Sequence, residues 1–323
     1  MAWTPAKKSA LEEELRTTLC FARSRLSSVC VVRGEVLVCR ACCDGSDLGA
    51  ASASVTSTEI VQYALLFGSA FLAGGINAVA GGGTLLTFPA LYSVLGPTGA
   101  VIANATSTVA LFPGSISAIG AFWEDLKLYR RWVSVLMPPS LLGGAVGALL
   151  LINLPAETFK AAVPWLILVA ASLFTLQPQI AKWLGIGKAH AAPAAGTMVG
   201  VVAFQFVVGI YGGYFGAGIG ILMLSALAVM GLTDIHAMNG LKSVLGTCIN
   251  GIAVAVFVVK DFFSETVHWP LAIWMAVAAA AGAFVAARIA KRLDRVWVRR
   301  FVIAIGYILA ATFFYRHYVL GDA

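Results

Sequence analysis

From about residue 60 onward, one apolar stretch follows another with only short polar joins between them, each near the ~20 residues that an α-helix needs to cross roughly 30 Å of hydrocarbon. That recurrence narrows the choice of fold more than any single motif. Only 11% of the residues are charged and 60% are hydrophobic, whereas soluble domains carry about a quarter charged residues. A water-soluble core cannot hide so much apolar surface, so the chain reads as an all-α polytopic membrane protein. Its formal net charge of +7 does not point to nucleic acid. The basic residues sit in short joins between apolar runs, where Lys and Arg set orientation in the bilayer.

Ten helical elements are expected, at about 60–80, 84–96, 98–121, 132–153, 158–176, 196–214, 217–231, 234–259, 267–288 and 296–318. The second and seventh are too short for an upright span. Each follows a glycine cluster, Gly81-Gly82-Gly83 or Gly216-Ala217-Gly218. Pro138-Pro139 and Pro164 are expected to kink their helices. Residues 177–195, with Pro178, Gly185, Gly187 and Pro193, read as a linker between a first unit at 60–176 and a second at 196–323. Residues 1–59 differ from the rest. They hold 7 of the 22 Lys and Arg residues and five of the six cysteines, and they lack a signal peptide's ordering. They read as a short, poorly ordered extension or as translated sequence upstream of the true start. Cys39-x-x-Cys42-Cys43 has no matching Cys/His pair downstream, so no metal site is assigned there.

The two units look like copies. Asn104 and Asn239 differ by 239 − 104 = 135 positions. The same offset pairs Gly74 with Gly209, Gly81 with Gly216, Gly83 with Gly218, Gly96 with Gly231, Thr98 with Thr233 and Gly147 with Gly282. Loop charges suggest how the copies lie. Lys127, Arg130 and Arg131 fall in one loop whose counterpart carries only Lys260. In the next pair of loops Lys160 stands against Arg288, Lys291, Arg292, Arg295, Arg299 and Arg300. Basic loops stay in the cytoplasm, so corresponding loops are expected on opposite sides and the repeats are expected to be inverted. Both termini then lie outside.

Glycine-interrupted segments at matching places in two halves point to a midplane binding site. A helix that starts after such a break offers unpaired N–H groups and the positive end of its dipole, which attract anions. The expected substrate-binding set therefore includes Gly81, Gly82, Gly83 and Thr84 at the first break, and Gly212, Gly216 and Gly218 at the second. Asn77 precedes the first break. Thr98 and Thr233 are expected N-caps. Asn104, with Ser107 and Thr108 on its face, and Asn239, with Lys242 and Ser243 on its face, complete the set. Both Asn amides have a second role open to them, capping the neighbouring broken helix. Lys242 is the one Lys or Arg well inside an expected span, and a costly intramembrane charge marks a functional position. The glycines also have the plainer role of letting helices pack closely.

Gly74-Gly75-Ile76-Asn77-Ala78-Val79-Ala80-Gly81-Gly82-Gly83, followed by Pro89 and Ala103-Asn104-Ala105-Thr106, resembles the first signature of the sulfite exporter TauE/SafE family. Gly209-Ile210-Tyr211-Gly212-Gly213-Tyr214-Phe215-Gly216-Ala217-Gly218, with Asn239 and Lys242 downstream, resembles the second. Ala217 between the glycines and Gly240 after Asn239 depart mildly from that pattern. The resemblance covers about residues 60–318. It implies a multi-pass permease of the bacterial inner membrane that exports sulfite or an organosulfonate, some relatives importing sulfur compounds instead.

The reading that follows is a secondary transporter of a small sulfur-containing anion, partnered by the bilayer and by a coupling ion not yet specified. The alternatives are an uptake permease or a channel for another anion. A third reading is a membrane assembly factor or an intramembrane enzyme, and the enzyme needs a carboxylate pair, a metal set or a nucleophile with its base. His190, His236, His268 and His317 are scattered without such spacing. No catalytic residue, cofactor or metal is expected, and the oligomeric state is left open.

Overall fold

The computed structural model describes residues 31–32, 35–36, 57–79, 81–120, 129–183, 195–230, 232, 234–289 and 295–318. The chain divides into two units, Met1–Val55 and Thr56–Ala323. In the first, β1 (Val31–Val32) pairs antiparallel with β2 (Glu35–Val36). The sequence reading did not foresee this two-residue ribbon. The rest of the expected 1–59 extension up to residue 56 lies outside the described residues.

The described residues of the second unit are mostly helical. Its elements are α1 (Ser57–Val79), α2 (Thr84–Leu95), a 3₁₀ turn (Pro97–Gly99), α3 (Ala100–Gly120), α4 (Arg130–Asn153) and α5 (Ala156–Trp183). They continue as α6 (Ala195–Tyr214), α7 (Ile219–Val229), α8 (Ile235–Asp261), α9 (Trp269–Ile289) and α10 (Arg295–Tyr318). Among the described residues, seven helices are long and apolar enough to cross a membrane: α1, α3, α4, α5, α8, α9 and α10. The shorter apolar helices are α2, α7 and the Met198–Tyr214 part of α6. The chain is a multi-pass membrane protein.

Two expectations need correction. The linker does not begin at 177, because α5 continues through Pro178 to Trp183. One proline removes one backbone bond, while Gln177, Gln179, Ala181 and Lys182 around it favour helix. Thr98 does not cap α3. It lies in the 3₁₀ turn that Pro97 begins, and α3 starts at Ala100. Thr233 lies outside the described residues.

The packing follows the repeat. Numbering puts five helices in each half, so α1 corresponds to α6 and α5 to α10. Helix α1 packs against α9, and its counterpart α6 packs against α4, the counterpart of α9. Helices α3 and α9 meet as α8 and α4 do, while α3 with α8 and α5 with α10 are contacts between counterparts. The exchange of halves therefore maps most of the packing onto itself. Small residues permit these crossings. A Cβ on Gly282 of α9 would fall 1.8 Å from the Phe71 carbonyl oxygen of α1, and one on Gly213 of α6 would fall 2.1 Å from the Gly144 carbonyl oxygen of α4.

A block of buried aromatic rings lies beside the second glycine break and draws on both halves. Phe88 meets Phe215 edge-on at 5.6 Å and Phe159 at 6.0 Å, and it stacks on Phe313 at 6.1 Å. Tyr214 meets Phe159 edge-on at 5.5 Å. Such pairs add to the area they bury and make that flank rigid.

Candidate functional site

Both breaks are built alike. After α1, the Gly81 N–H reaches back to the carbonyls of Ile76 (3.1 Å) and Asn77 (3.2 Å), and Gly81 takes φ +75°. After α6, the N–H groups of Phe215 and Gly216 both reach the Tyr211 carbonyl, at 2.9 and 3.2 Å, and Gly216 takes φ +83°. A left-handed residue at a helix end is the usual glycine terminator. The next helices start without a side-chain cap, at Gly83 for α2 and at Gly218 for α7. Backbone bonds close part of each first turn, from the Leu85 and Leu86 N–H groups to the Gly82 and Gly83 carbonyls and from Ile221 N–H to the Gly218 carbonyl; only the amides ahead of these lack an intrahelical acceptor.

The two breaks touch. A Cβ on Gly81 would lie 3.3 Å from Cα of Gly220, and one on Gly216 would lie 3.6 Å from Oγ1 of Thr84. Where they meet is a cavity of about 40 Å³. At roughly 10–15 Å³ for one water, it has room for about three waters or one small ion.

The cavity draws on both halves, with six lining residues from the first and nine from the second. Asn77, Gly81 and Thr84 line it from the first break, and Gly216, Ile219, Gly220 and Met223 from the second. Helix α3 supplies Thr108, Leu111 and Ser115, and α8 supplies Lys242, Ser243, Gly246, Thr247 and Asn250. The offset recurs among them: 243 − 108, 246 − 111 and 250 − 115 all equal 135. Lys242 is the one charged side chain on the wall among the described residues, and it is only 5% exposed.

Hydrogen bonds tie this wall together. Asn77 Nδ2 donates to Ser115 Oγ at 3.0 Å, and Ser115 Oγ donates to the Leu111 carbonyl at 3.1 Å. Thr247 Oγ1 is shared between the carbonyls of Ser115 (3.1 Å) and Ser243 (2.8 Å), which bridges α8 to α3. Lys242 Nζ donates to Asn239 Oδ1 at 3.2 Å. Lys160, another buried ammonium, pairs at 2.7 Å with Glu157 and does not line the cavity.

Of the expected site residues, Asn77, Gly81, Thr84, Thr108, Gly216, Lys242 and Ser243 stand on the wall. The others lie just behind it. A Cβ on Gly82 would meet the Phe174 ring at 2.4 Å, and one on Gly83 the Ala73 carbonyl oxygen at 2.6 Å. Gly212 packs against Ile249 and Ile219, and Gly218 makes the left-handed start of α7. Ser107 Oγ hydrogen-bonds Thr87 Oγ1, and Asn239 holds Lys242. Asn104 Nδ2 donates to the Tyr214 carbonyl at 3.0 Å, so this amide caps the broken helix α6. Ser115, Gly246, Thr247 and Asn250 were not singled out in the sequence. They lie seven, eight or eleven residues beyond Asn104 or Asn239, so following the helix face further would have found them.

Two helix starts without side-chain caps and one ammonium line a small, half-open cavity inside a multi-pass bundle, an arrangement that suits a membrane transport protein. The family profile described as Sulfite exporter TauE/SafE matches residues 66–313. The chain belongs to that family. A "Probable membrane transporter protein" of Haemophilus influenzae is 26% identical over 253 residues, 78% of this chain and 94% of the relative. "Probable membrane transporter protein ORF9" of a Sinorhizobium species is 28% identical over 250 residues, 76% of this chain and 90% of the relative. "Probable membrane transporter protein YfcA" of Escherichia coli K12 is 25% identical over 254 residues, 78% of this chain and 89% of the relative. No solved structure matches the chain.

Proposed function

We propose that this transporter exports a small sulfur-containing oxyanion of sulfite's size, and that the cavity between the two glycine breaks is where the ion binds midway. The observation that carries this reading is the contact of the breaks beside Lys242. The positive ends of α2 and α7 and one ammonium face the same small volume, and no carboxylate lines it among the described residues. In a site of low dielectric these groups replace the hydration shell that the ion leaves behind. The Thr84 hydroxyl is at hand for its oxygens, while those of Thr108 and Ser243 donate to the backbone carbonyls of Asn104 and Asn239.

The 40 Å³ of room favours a compact oxyanion over a longer sulfonate such as sulfoacetate. Export is the direction that the family's description carries. Two inverted halves would supply the exchange of access, each opening the cavity to one side in turn.

The experiment is sulfite flux through proteoliposomes. Wild-type protein should show saturable flux, and Lys242→Ala should lower it about tenfold or more, the value of roughly 1.4 kcal/mol of lost ion binding. Lys242→Arg keeps the charge and should retain part of it. A folded, reconstituted wild-type protein that moves no sulfite in either direction would sink the proposal.

A further inference from the structure

Asn104 and Asn239 occupy equivalent places in the two halves, yet their carbonyl oxygens meet different things. Three residues after Asn239 stands Lys242, whose Nζ donates to Asn239 Oδ1 at 3.2 Å. Three residues after Asn104 stands Ser107, the equivalent position since 242 − 107 = 135. Serine is too short to serve as that donor, and its hydroxyl is engaged with Thr87 Oγ1. Asn104 is 1% exposed, and its Oδ1 is buried without a hydrogen-bond partner. Its orientation is fixed, because Nδ2 is committed to the Tyr214 carbonyl at 3.0 Å.

A buried acceptor without a donor is costly, and native structures rarely leave one. The polarity is informative as well. An anion cannot satisfy a carbonyl oxygen; a cation can. Tyr214 is the last residue of α6, so its carbonyl sits at the negative end of that helix's dipole. The neighbouring groups, the hydroxyls of Ser107, Thr87 and Thr108, are neutral oxygens. Divalent ions are usually held with the help of carboxylates, and none lines the adjoining cavity among the described residues.

We propose that a small monovalent cation, Na⁺ in the first instance, binds beside Asn104 Oδ1 and fills in the first half the role that the Lys242 ammonium fills beside Asn239 in the second. Each half then has one positive charge against its asparagine, one built in and one exchangeable. Asn104 lies one helical turn before Thr108, a cavity residue, so the ion would be a near neighbour of a bound anion. Its role as a coupling ion rests on the function proposed above; the site itself does not.

The test is thermal unfolding of the purified full chain in detergent, without sulfite, in chloride salts of Na⁺, K⁺ or choline at equal ionic strength. The wild-type Tm should rise saturably in Na⁺, by at least about 3 °C over choline. Asn104→Asp gives up the donation to the Tyr214 carbonyl but sets a charged oxygen beside the ion, and should lower the Na⁺ midpoint about tenfold. Asn104→Ala removes the acceptor and should abolish the effect. Ser107→Lys supplies an ammonium of its own and should do the same. Equal wild-type Tm in all three salts would overturn the proposal and leave Asn104 hydrated by water alone. So would a Na⁺ effect that Asn104→Ala and Ser107→Lys both keep. Should neither of those two fold, an unshifted midpoint in Asn104→Asp decides against it. Sulfite flux and its loss in Lys242→Ala are measured separately, so either reading can fail alone.

Discussion

Single glycines around the cavity differ sharply in what a methyl group would do to them. Gly216 holds φ +83°, where any other L residue costs about 1–2 kcal/mol. Gly216→Ala should therefore lower the Tm by a few degrees and reduce transport with it. Gly246 lines the cavity, yet a Cβ there meets nothing within 4 Å. Gly246→Ala should keep or raise the stability, since alanine is favoured in a helix by about 0.5–1 kcal/mol. Its methyl would still take room from a 40 Å³ space, so sulfite flux should fall while the melting curve does not. Equal flux in the two proteins would show that the cavity is not on the ion's path. The sequence revealed the breaks and Lys242 because glycine runs and intramembrane charges are rare. It did not separate Gly216, which makes the turn, from Gly212, which meets Ile249. That distinction depends on what stands opposite, and no local pattern contains it.

Helices are placed by how closely they approach. The crossings of α1 with α9 and of α4 with α6 bring backbone against backbone, and the carbonyl of Phe71 fills the space that a side chain on Gly282 would need. Gly282→Ala should force α9 away from α1 at a cost of about 3 kcal/mol or more, read as a large fall in Tm or in yield of folded protein. A wild-type melting curve would mean that this crossing gives way easily. At the far end of α8, Asp261 closes the turn into α9. Its Oδ1 accepts from the N–H groups of Thr266 (2.7 Å) and Val267 (2.8 Å), and its Oδ2 accepts from Trp269 Nε1 at 2.7 Å. Helix existence was legible from the apolar runs, and nearly every boundary fell within a few residues. The exception, α5 running on through Pro178, shows that one proline is a weak stop signal when good helix formers surround it.

For the whole molecule the repeat matters most. Its 135-residue offset was visible in the sequence, and most of the helix contacts repeat it. The opposite membrane orientation of the halves is a separate matter, and labelling tests it. In a background with the six native cysteines replaced, Leu154→Cys and Ser264→Cys should both react with an impermeant maleimide added outside intact cells. Arg300→Cys should react only after the cells are opened. Any other partition would contradict the inverted arrangement read from Lys and Arg.

The halves correspond element by element, but position 107 holds a hydroxyl where its equivalent, 242, holds an ammonium. Lys242 charges the chamber wall from the second half alone, which gives the chamber a polarity of its own. With the halves inverted as the Lys and Arg pattern suggests, a passenger entering from one side of the membrane would meet the charged wall in a different order from one entering from the other.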